Sequence, residues 1–593
     1  MQNNIRGNDG VFLDRGAGSQ EESNMGMGTI IALVVLLLVV GTFILHRHLA
    51  VDSNPAAFLP ADTLAYIDQR HAQERGQRFL ASSLGKAVTS IDLPGLVHDL
   101  GAPEGVQADL QDTVDKIKEV VGSKITEELL GNRFVVALLP RRDWMKELGA
   151  SPDPRWHLVL ICQPRHGAAA MDILSSLFSG DLKTEIVPYG GYSLKRFKND
   201  QISFVACTVK GWLVAAFEER ALREALDAFD AGANSLAASQ SFKKITADLP
   251  PESQQIVYLR PHGLAGLVKA SLAQAPSRNQ AALAGHLDAA MARLDAFAYG
   301  SWMINDVFEE RMFVSFILDK ATATVRKILT TPPQKDELLS HLRDNILLYS
   351  YSAISDSSGV FASLKPEQRA KIEALTGHSL QELQQMLGDG PTRLFLRQGA
   401  DGQTLPLPLA NFCVKAAAPA KLSEIASTLL TQAGIEMSKG EFQDASYQVW
   451  SKAPEKNLRL YSALWRGQWC LGNSLDFFKE IAEQAPADQS LLTAKDFKAV
   501  ADGVDVDQPA PSLMYVRVDQ SLDLLRHACG WLATILAVKD KGLSAKAKLV
   551  NERLIFPILD GAKMYQSSFS RCLVENNMLK VDFRTSMTPV EVK

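Results

Sequence analysis

Along this chain, short runs with strand-forming residues and alternating polarity give way to longer stretches with apolar residues three and four apart. The first pattern is that of a half-buried strand, the second that of a helix lying on a core. Strands are predicted at 64–68, at 133–137 and at 156–162. An amphipathic helix with Met171, Leu174, Leu177 and Phe178 on one face follows. Residues 192–197, 202–205 and a stretch after the Lys210-Gly211 turn predict an antiparallel meander. A helix carrying Leu222, Ala225, Leu226 and Phe229 comes next, then a strand ending Tyr258-Leu259-Arg260. A long helix at about 279–294 and a hairpin of 297–302 with 311–316 complete the series.

The same order then returns. Strands are predicted at 346–350, 393–397 and 409–414, with Cys162 and Cys413 in corresponding strands. A helix with Leu422, Ile425 and Leu429 leads to strands at 447–450 and 458–461 and to a turn at Arg466-Gly467. Leu475, Phe478 and Ile481 mark the next helix. The segment from Ser235-Leu236 to Phe242-Lys243 lies without gaps over Ser490-Leu491 to Phe497-Lys498. A strand at 515–517, a helix at about 541–556 and a hairpin of 569–574 with 579–585 end the second series. Strands that alternate face pair most simply as antiparallel ribbons, with helices over one face of each sheet.

Ahead of both series stands a run of a different kind. No charged side chain occurs from Ser23 to Leu45, and the inner stretch is almost purely aliphatic. About 20 helical residues cross a bilayer, so the run is read as a membrane segment. The residues after it, His46-Arg47-His48, do not form a small-residue cleavage site, which predicts a retained anchor. Arg6 and Arg15 before the run, against Arg47 after it, lean slightly toward a cytoplasmic amino terminus. The expected fold class is therefore α+β: a single N-terminal transmembrane helix followed by two tandem repeats of an antiparallel sheet packed with helices. The predicted organisation is a disordered tail at 1–22, a transmembrane helix at 23–45 and a linker at 46–56. A first ectodomain copy at 57–319, a linker at 320–342 around Pro332-Pro333 and a second copy at 343–590 follow.

Composition narrows the function classes. The 593 residues are 46% hydrophobic and 22% charged, with a formal net charge of −5 and no dense Lys/Arg block, so a nucleic-acid partner is not expected. Six scattered cysteines (Cys162, Cys207, Cys413, Cys470, Cys529 and Cys572) include no Cys-x-x-Cys pair. Cys162 and Cys413 are read as small core residues, although an exported location would allow disulfides.

Phe58-Leu59-Pro60-Ala61-Asp62-Thr63-Leu64-Ala65-Tyr66 after one anchor, Gly191-Tyr192 opening a strand, and Ser235-Leu236 running to Phe242 form a recognisable order. In it the chain resembles a bacterial membrane-anchored family of domains of unknown function, family 3352, over roughly residues 57–590. The second copy departs from it, having Leu342-Arg343-Asp344-Asn345 where the first has Pro-Ala-Asp-Thr. The resemblance implies an envelope protein with an exported bulk and carries over no catalytic residue.

The chemistry-bearing patterns are sparse. There is no phosphate-binding Gly-rich loop and no pair of histidines three or four apart. Asp502, Asp505 and Asp507 lack the late glutamate of a calcium loop and read as a solvated turn. Ser83-x-x-Lys86 and Ser241-x-x-Lys244 place an amine one helical turn from a hydroxyl, the spacing a serine hydrolase could use. Trp212, Trp450, Trp465 and Trp469 cluster near the matched turns, where they could line a groove or fill a core. No catalytic, cofactor-binding or metal-ligating residue is assigned, and no cofactor is expected. The reading is a non-enzymatic single-pass protein of the inner membrane with a periplasmic ectodomain, binding or scaffolding in the cell envelope. Its expected partners are the bilayer through residues 23–45 and envelope proteins or an apolar ligand. A lipid or hydrophobe carrier and a serine hydrolase are the alternatives.

Overall fold

The structure is a computed structural model describing residues 54–121, 132–140, 157–164, 183–198, 203–265, 290–355, 361, 364–399, 407–432, 435–450 and 459–589. These residues build one sheet of twenty strands, every neighbouring pair antiparallel. The first ten are β1 Ala65–Arg70, β2 Arg133–Leu138, β3 Leu158–Gln163, β4 Lys183–Tyr189, β5 Tyr192–Lys198, β6 Ser203–Val209, β7 Trp212–Ala216, β8 Gln255–Leu259, β9 Leu294–Ile304 and β10 Val307–Phe316. The second ten are β11 Ile346–Ser352, β12 Thr392–Arg397, β13 Leu409–Val414, β14 Met437–Phe442, β15 Ala445–Trp450, β16 Leu460–Trp465, β17 Gln468–Gly472, β18 Ser512–Arg517, β19 Tyr565–Glu575 and β20 Met578–Met587.

In space the first ten run β4-β5-β6-β7-β3-β2-β1-β8-β9-β10. Strand β10 then pairs with β20, and the order continues β19-β18-β11-β12-β13-β17-β16-β15-β14. The second ten thus follow the order of the first, mirrored about the β10–β20 seam. The outermost strands, β4 and β14, have one hydrogen-bonded neighbour each among the described residues.

This arrangement corrects the expected fold class. The two series do not form separate tandem sheets; their last hairpins join edge to edge into one. Strands β4 and β14, absent from the expected pattern, also extend each meander outward. The predicted anchor at 23–45, with the tail and most of the linker around it, lies outside the described residues. Among the described residues the one helix long and apolar enough to cross a membrane is Val518–Lys539, far from the amino terminus. The expectation of a single such helix at the N-terminal end is thus not met among the described residues, where it stands at Val518–Lys539 instead. The long helix predicted at 279–294 falls largely outside the described residues, and the one at 541–556 is present and runs on to Ala562, with a π-helical turn at Asn551–Ile555 between Lys541–Val550 and Phe556–Ala562.

Alternation within strands gives the sheet two buried faces. In the first half Val205, Cys207, Val209, Trp212 and Val214 enter one core, and Phe204, Ala206, Leu213 and Ala215 another. Helix Glu219–Ala231 closes the first core with Ala221, Leu222, Ala225 and Leu226 on a single stripe, and stops at Gly232, whose φ is +58°. In the second half Cys413 and Val414, adjacent in β13, belong to opposite cores. Phe477, Phe478 and Ile481 of helix Leu475–Ala482 cover the Cys413 side, and Leu422 of helix Pro419–Gln432 covers the Val414 side. Helices therefore lie on both faces here, not on one.

Tight turns set the register of the hairpins. Asn305-Asp306 and Asn576-Asn577, at the tips of β9–β10 and β19–β20, all have positive φ, as do Lys210-Gly211 and Arg466-Gly467. Such two-residue turns match the twist of the flanking strands. Cys413 and Cys470 are opposite each other on β13 and β17 and form a disulfide. Cys413 is a core residue, as expected, and the connectivity that the sequence left open joins it to Cys470.

Candidate functional site

A carboxylate in the middle of a strand is the most informative polar feature of the first half. Asp68 on β1 is fully buried, where an unpaired charge would be prohibitive. Arg133, at the start of β2, donates Nε to Oδ1 at 2.8 Å and Nη2 to Oδ2 at 2.6 Å. Tyr66 Oη donates to the same carboxylate at 3.2 Å, and Arg70 Nη2 at 3.3 Å. Burial alone would push the Asp68 carboxyl up; the charge and hydrogen bonds of Arg133, with Arg70 and Tyr66, outweigh it and hold it below the usual carboxylate range. Burial pushes the Tyr66 phenol well up, and the Asp68 charge adds to this.

Beside this cluster opens a cavity of about 460 Å³. Arg70 and Arg133 form its charged part, and Phe242, Leu249, Pro251 and Ile256 are among its apolar walls. Both guanidiniums are already engaged, since Arg70 also donates Nη1 to the Pro251 carbonyl at 2.7 Å. The carboxylate accepts from three side chains, which makes it a fixed counter-ion and a poor general base.

The second half builds the same trio from other positions. Tyr349 is opposite Tyr515 just as Tyr66 is opposite Tyr258. Tyr349 donates to Asp336 Oδ2, and Arg393 Nε donates to Asp336 Oδ1 at 2.9 Å. Arg393 also donates Nη1 to Gln468 Oε1 at 2.9 Å. Asp336 lies ahead of β11, in the segment the sequence predicts as a linker. Arg133 and Arg393 open similar stretches of sequence, yet the strand registers set Arg393 level with Val135, because Ala137 faces Tyr66 while Phe395 faces Tyr349. The arginine has moved by two residues, which keeps it on the same face. Asp68 had one signal in the sequence, an acid inside an apolar strand; Asp336 had none.

A second shared contact surrounds Phe242 and Phe497. The Phe242 ring meets Tyr66 and Tyr258 edge-on, and Phe497 meets Tyr515 in the same manner. Tyr258 Oη donates to Ser241 Oγ at 3.4 Å; Tyr515 Oη donates to Asp496 Oδ2 at 2.9 Å. Ser241 is thus a helix-start residue taken up by a tyrosine. Ser83 Oγ donates to the Gly561 carbonyl at 3.0 Å, which docks helix Ser83–Ser90 on helix Phe556–Ala562.

With these contacts in place the comparisons can be read. Residues 127–348 match the family model described as "Protein of unknown function (DUF3352)". This is the family that the sequence resembles. The DUF3352 match runs from ahead of β2 into β11. No curated protein matches the sequence. Crystal form IV of TP0453 aligns over 47% of this chain and 87% of its own, at 10% identity and a TM-score of 0.23. Crystal form III of TP0453 covers 48% and 90% at 9% identity, also with a TM-score of 0.23.

The remaining sequence candidates take structural places. Trp212, Trp450 and Trp465 are buried in the sheet, and Trp469 donates Nε1 to Ser462 Oγ at 2.9 Å. Trp212 belongs to the core of the first half and Trp465 to that of the second. Asp507 pairs with Lys335 at 2.8 Å, and Asp505 and Asp502 offer main-chain carbonyls to Arg571 and Arg584. Among the described residues no group of three or more His, Cys, Asp or Glu side chains could hold a metal ion. His46 and His48 lie outside the described residues.

Proposed function

We propose that this chain is a non-enzymatic protein of the bacterial inner membrane whose bulk lies on the periplasmic side and serves as a binding scaffold. The observation that carries the reading is the β10–β20 seam. It makes one continuous, hydrogen-bonded body out of two halves of like strand order, a shape suited to holding partners at fixed separation. Three further features support it. The Cys413–Cys470 disulfide fits an oxidising compartment. The titratable cluster at Asp68 is tied into ion pairs that hold β1 to β2. The hydroxyls of Ser83 and Ser241 are engaged with Gly561 and Tyr258, which weakens the hydrolase alternative.

Protease added to intact spheroplasts tests the placement. Digestion of the chain, followed by recovery of envelope proteins crosslinked to it in cells, is the expected result. A chain that stays protected until the membrane is lysed overturns the periplasmic reading. Covalent labelling of Ser83 or Ser241 by a fluorophosphonate overturns the non-enzymatic one.

A further inference from the structure

Between β18 and β19 the chain leaves the sheet as a helical hairpin, Val518–Lys539 followed by Lys541–Val550. Ser544 Oγ donates to the Ala533 carbonyl at 2.8 Å and Asn551 Nδ2 to the Cys529 carbonyl at 3.0 Å, so the two arms are held side by side. Asp540 caps the second arm through the amides of Gly542 and Leu543 and sets the sharp turn.

The polar groups divide along its length. At the base three acids are matched: Asp523 with Lys563, Asp560 with Arg526, and Asp99 of the first half with Arg553. Toward the tip stand Lys539, Lys541, Lys546 and Lys548, which form no ion pair among the described residues; Asp540 is the acid at the turn itself, and Glu552 follows one helical turn after Lys548. This is a local cationic surface on a chain whose formal net charge is −5. The apolar groups follow the opposite logic. Leu525, Trp531, Leu532 and Val538 recur at helical spacing and stay in solvent; Leu532 is 55% and Val538 87% exposed. Leu543 on the second arm is 50% exposed. From Leu525 to Val538 the stripe is about 20 Å long. A soluble protein seldom leaves such a row open, and a helix with apolar and tryptophan side chains flanked by lysines matches the boundary between acyl chains and anionic headgroups.

We propose that the tip of this hairpin docks on a bilayer containing anionic lipid, with Trp531, Leu532, Val538 and Leu543 entering the acyl boundary and the four lysines meeting headgroup charge. Charge complementarity selects this occupant over a second copy, whose own tip lysines would repel. The proposal takes the nearness of a bilayer from the envelope reading above, but its test does not need that reading.

The full-length chain with Cys529→Ser and Cys572→Ser would carry a nitroxide at Leu532→Cys or Val538→Cys, with Ile186→Cys on β4 as an exposed control. Collisions with oxygen and with a nickel chelate are then measured in vesicles of phosphatidylglycerol and phosphatidylcholine. An excess of oxygen over nickel collisions is expected at 532 and 538 and not at 186. That excess should be lost in pure phosphatidylcholine and in the variant with Lys539, Lys541, Lys546 and Lys548 changed to Gln. Labels at 532 and 538 as open to nickel as the one at 186 overturn the proposal. Labels shielded from both reagents overturn it too, since protein then covers the stripe. A chain protected in spheroplasts removes the periplasmic placement and leaves this readout standing.

Discussion

Arg311 and Asp582 face each other across the seam, at 2.5 Å, at the one register pair that the symmetry of the sheet maps onto itself. Tyr258 lies opposite Ala298 and Tyr515 opposite Phe569; these in turn face Phe313 and Arg584. Arg311 in β10 therefore stands where Asp582 stands in β20. Two copies of the first half could not pair in this register without setting arginine against arginine. To either side the contacts differ as well: Glu309 meets Arg584 at 2.8 Å, while Lys580 lies over the Phe313 ring. Opposite charges specify β10 with β20 and oppose β10 with itself.

Asp582→Arg should therefore lower stability by about 1 kcal/mol, with Arg311→Asp in the same chain restoring most of it. Urea unfolding of the two single variants and the double variant gives the coupling. Strictly additive losses would deny the pair its role.

Gly561 supplies a further tight contact between the halves. A Cβ there would stand 2.8 Å from Leu84 Cα and 2.9 Å from the Ser83 carbonyl oxygen, both backbone atoms. Gly561→Ala is expected to cost about 1–3 kcal/mol by forcing the helices apart. Faster hydrogen exchange confined to residues 83–90 and 556–562 is the accompanying sign.

The Asp68 cluster predicts a pH dependence with a definite sign. Its carboxyl is held below its unfolded value, so the stabilisation is present above that value, near pH 4, and is lost as pH falls through the lower folded one. Asp68→Asn should flatten the acid limb of a stability profile. At neutral pH it should cost about 3 kcal/mol, because the half-buried Arg133 is left without its counter-charge.

Thiol reactivity should sort the four free cysteines. Burial pushes Cys162 and Cys207 up to about 12, so almost no thiolate exists near neutral pH. Cys572 is also raised, by burial. Iodoacetamide on the native chain is expected to modify Cys529 first and to leave Cys162 and Cys207 untouched until denaturant is added; mass spectrometry of peptides reads the order.

The disulfide closes a span of 57 residues, and Cys413→Ala with Cys470→Ala should lower stability by about 2–4 kcal/mol. In the first half the same place is taken by Ile161 opposite Val214, two apolar residues in one core. The bond thus substitutes for packing on one side of the molecule only.

These residues also show where sequence reading succeeds and stops. Meander strands, the Lys210-Gly211 and Arg466-Gly467 turns and the Ser235–Phe242 segment were legible because alternation and turn chemistry are local. Register was not: the slide of Arg393 by two residues against Arg133 preserves polarity and face, so nothing in the pattern marks it. The seam was hidden for the same reason, since β10 and β20 read as ordinary half-buried strands whether they end two sheets or join one. Helix Val518–Lys539 escaped because its second half, from Ala528 to Val538, is apolar at almost every position and so shows no clear helical period, and Asp336 because a loop gives no hint that it is buried. Of the sites, Ser83 and Ser241 were visible as spacing, and only the contacts with Gly561 and Tyr258 gave them a place.

The outer strands decide how far this architecture can grow. Strands β4 and β14 have one hydrogen-bonded neighbour each among the described residues; β4 carries Lys183, Glu185 and Pro188, and β14 carries Lys439 and Glu441. Charge and a missing amide hydrogen discourage an incoming strand at either end. With its middle closed by a complementary charge pair and charged side chains on both outer strands, the ribbon is built against the addition of further strands.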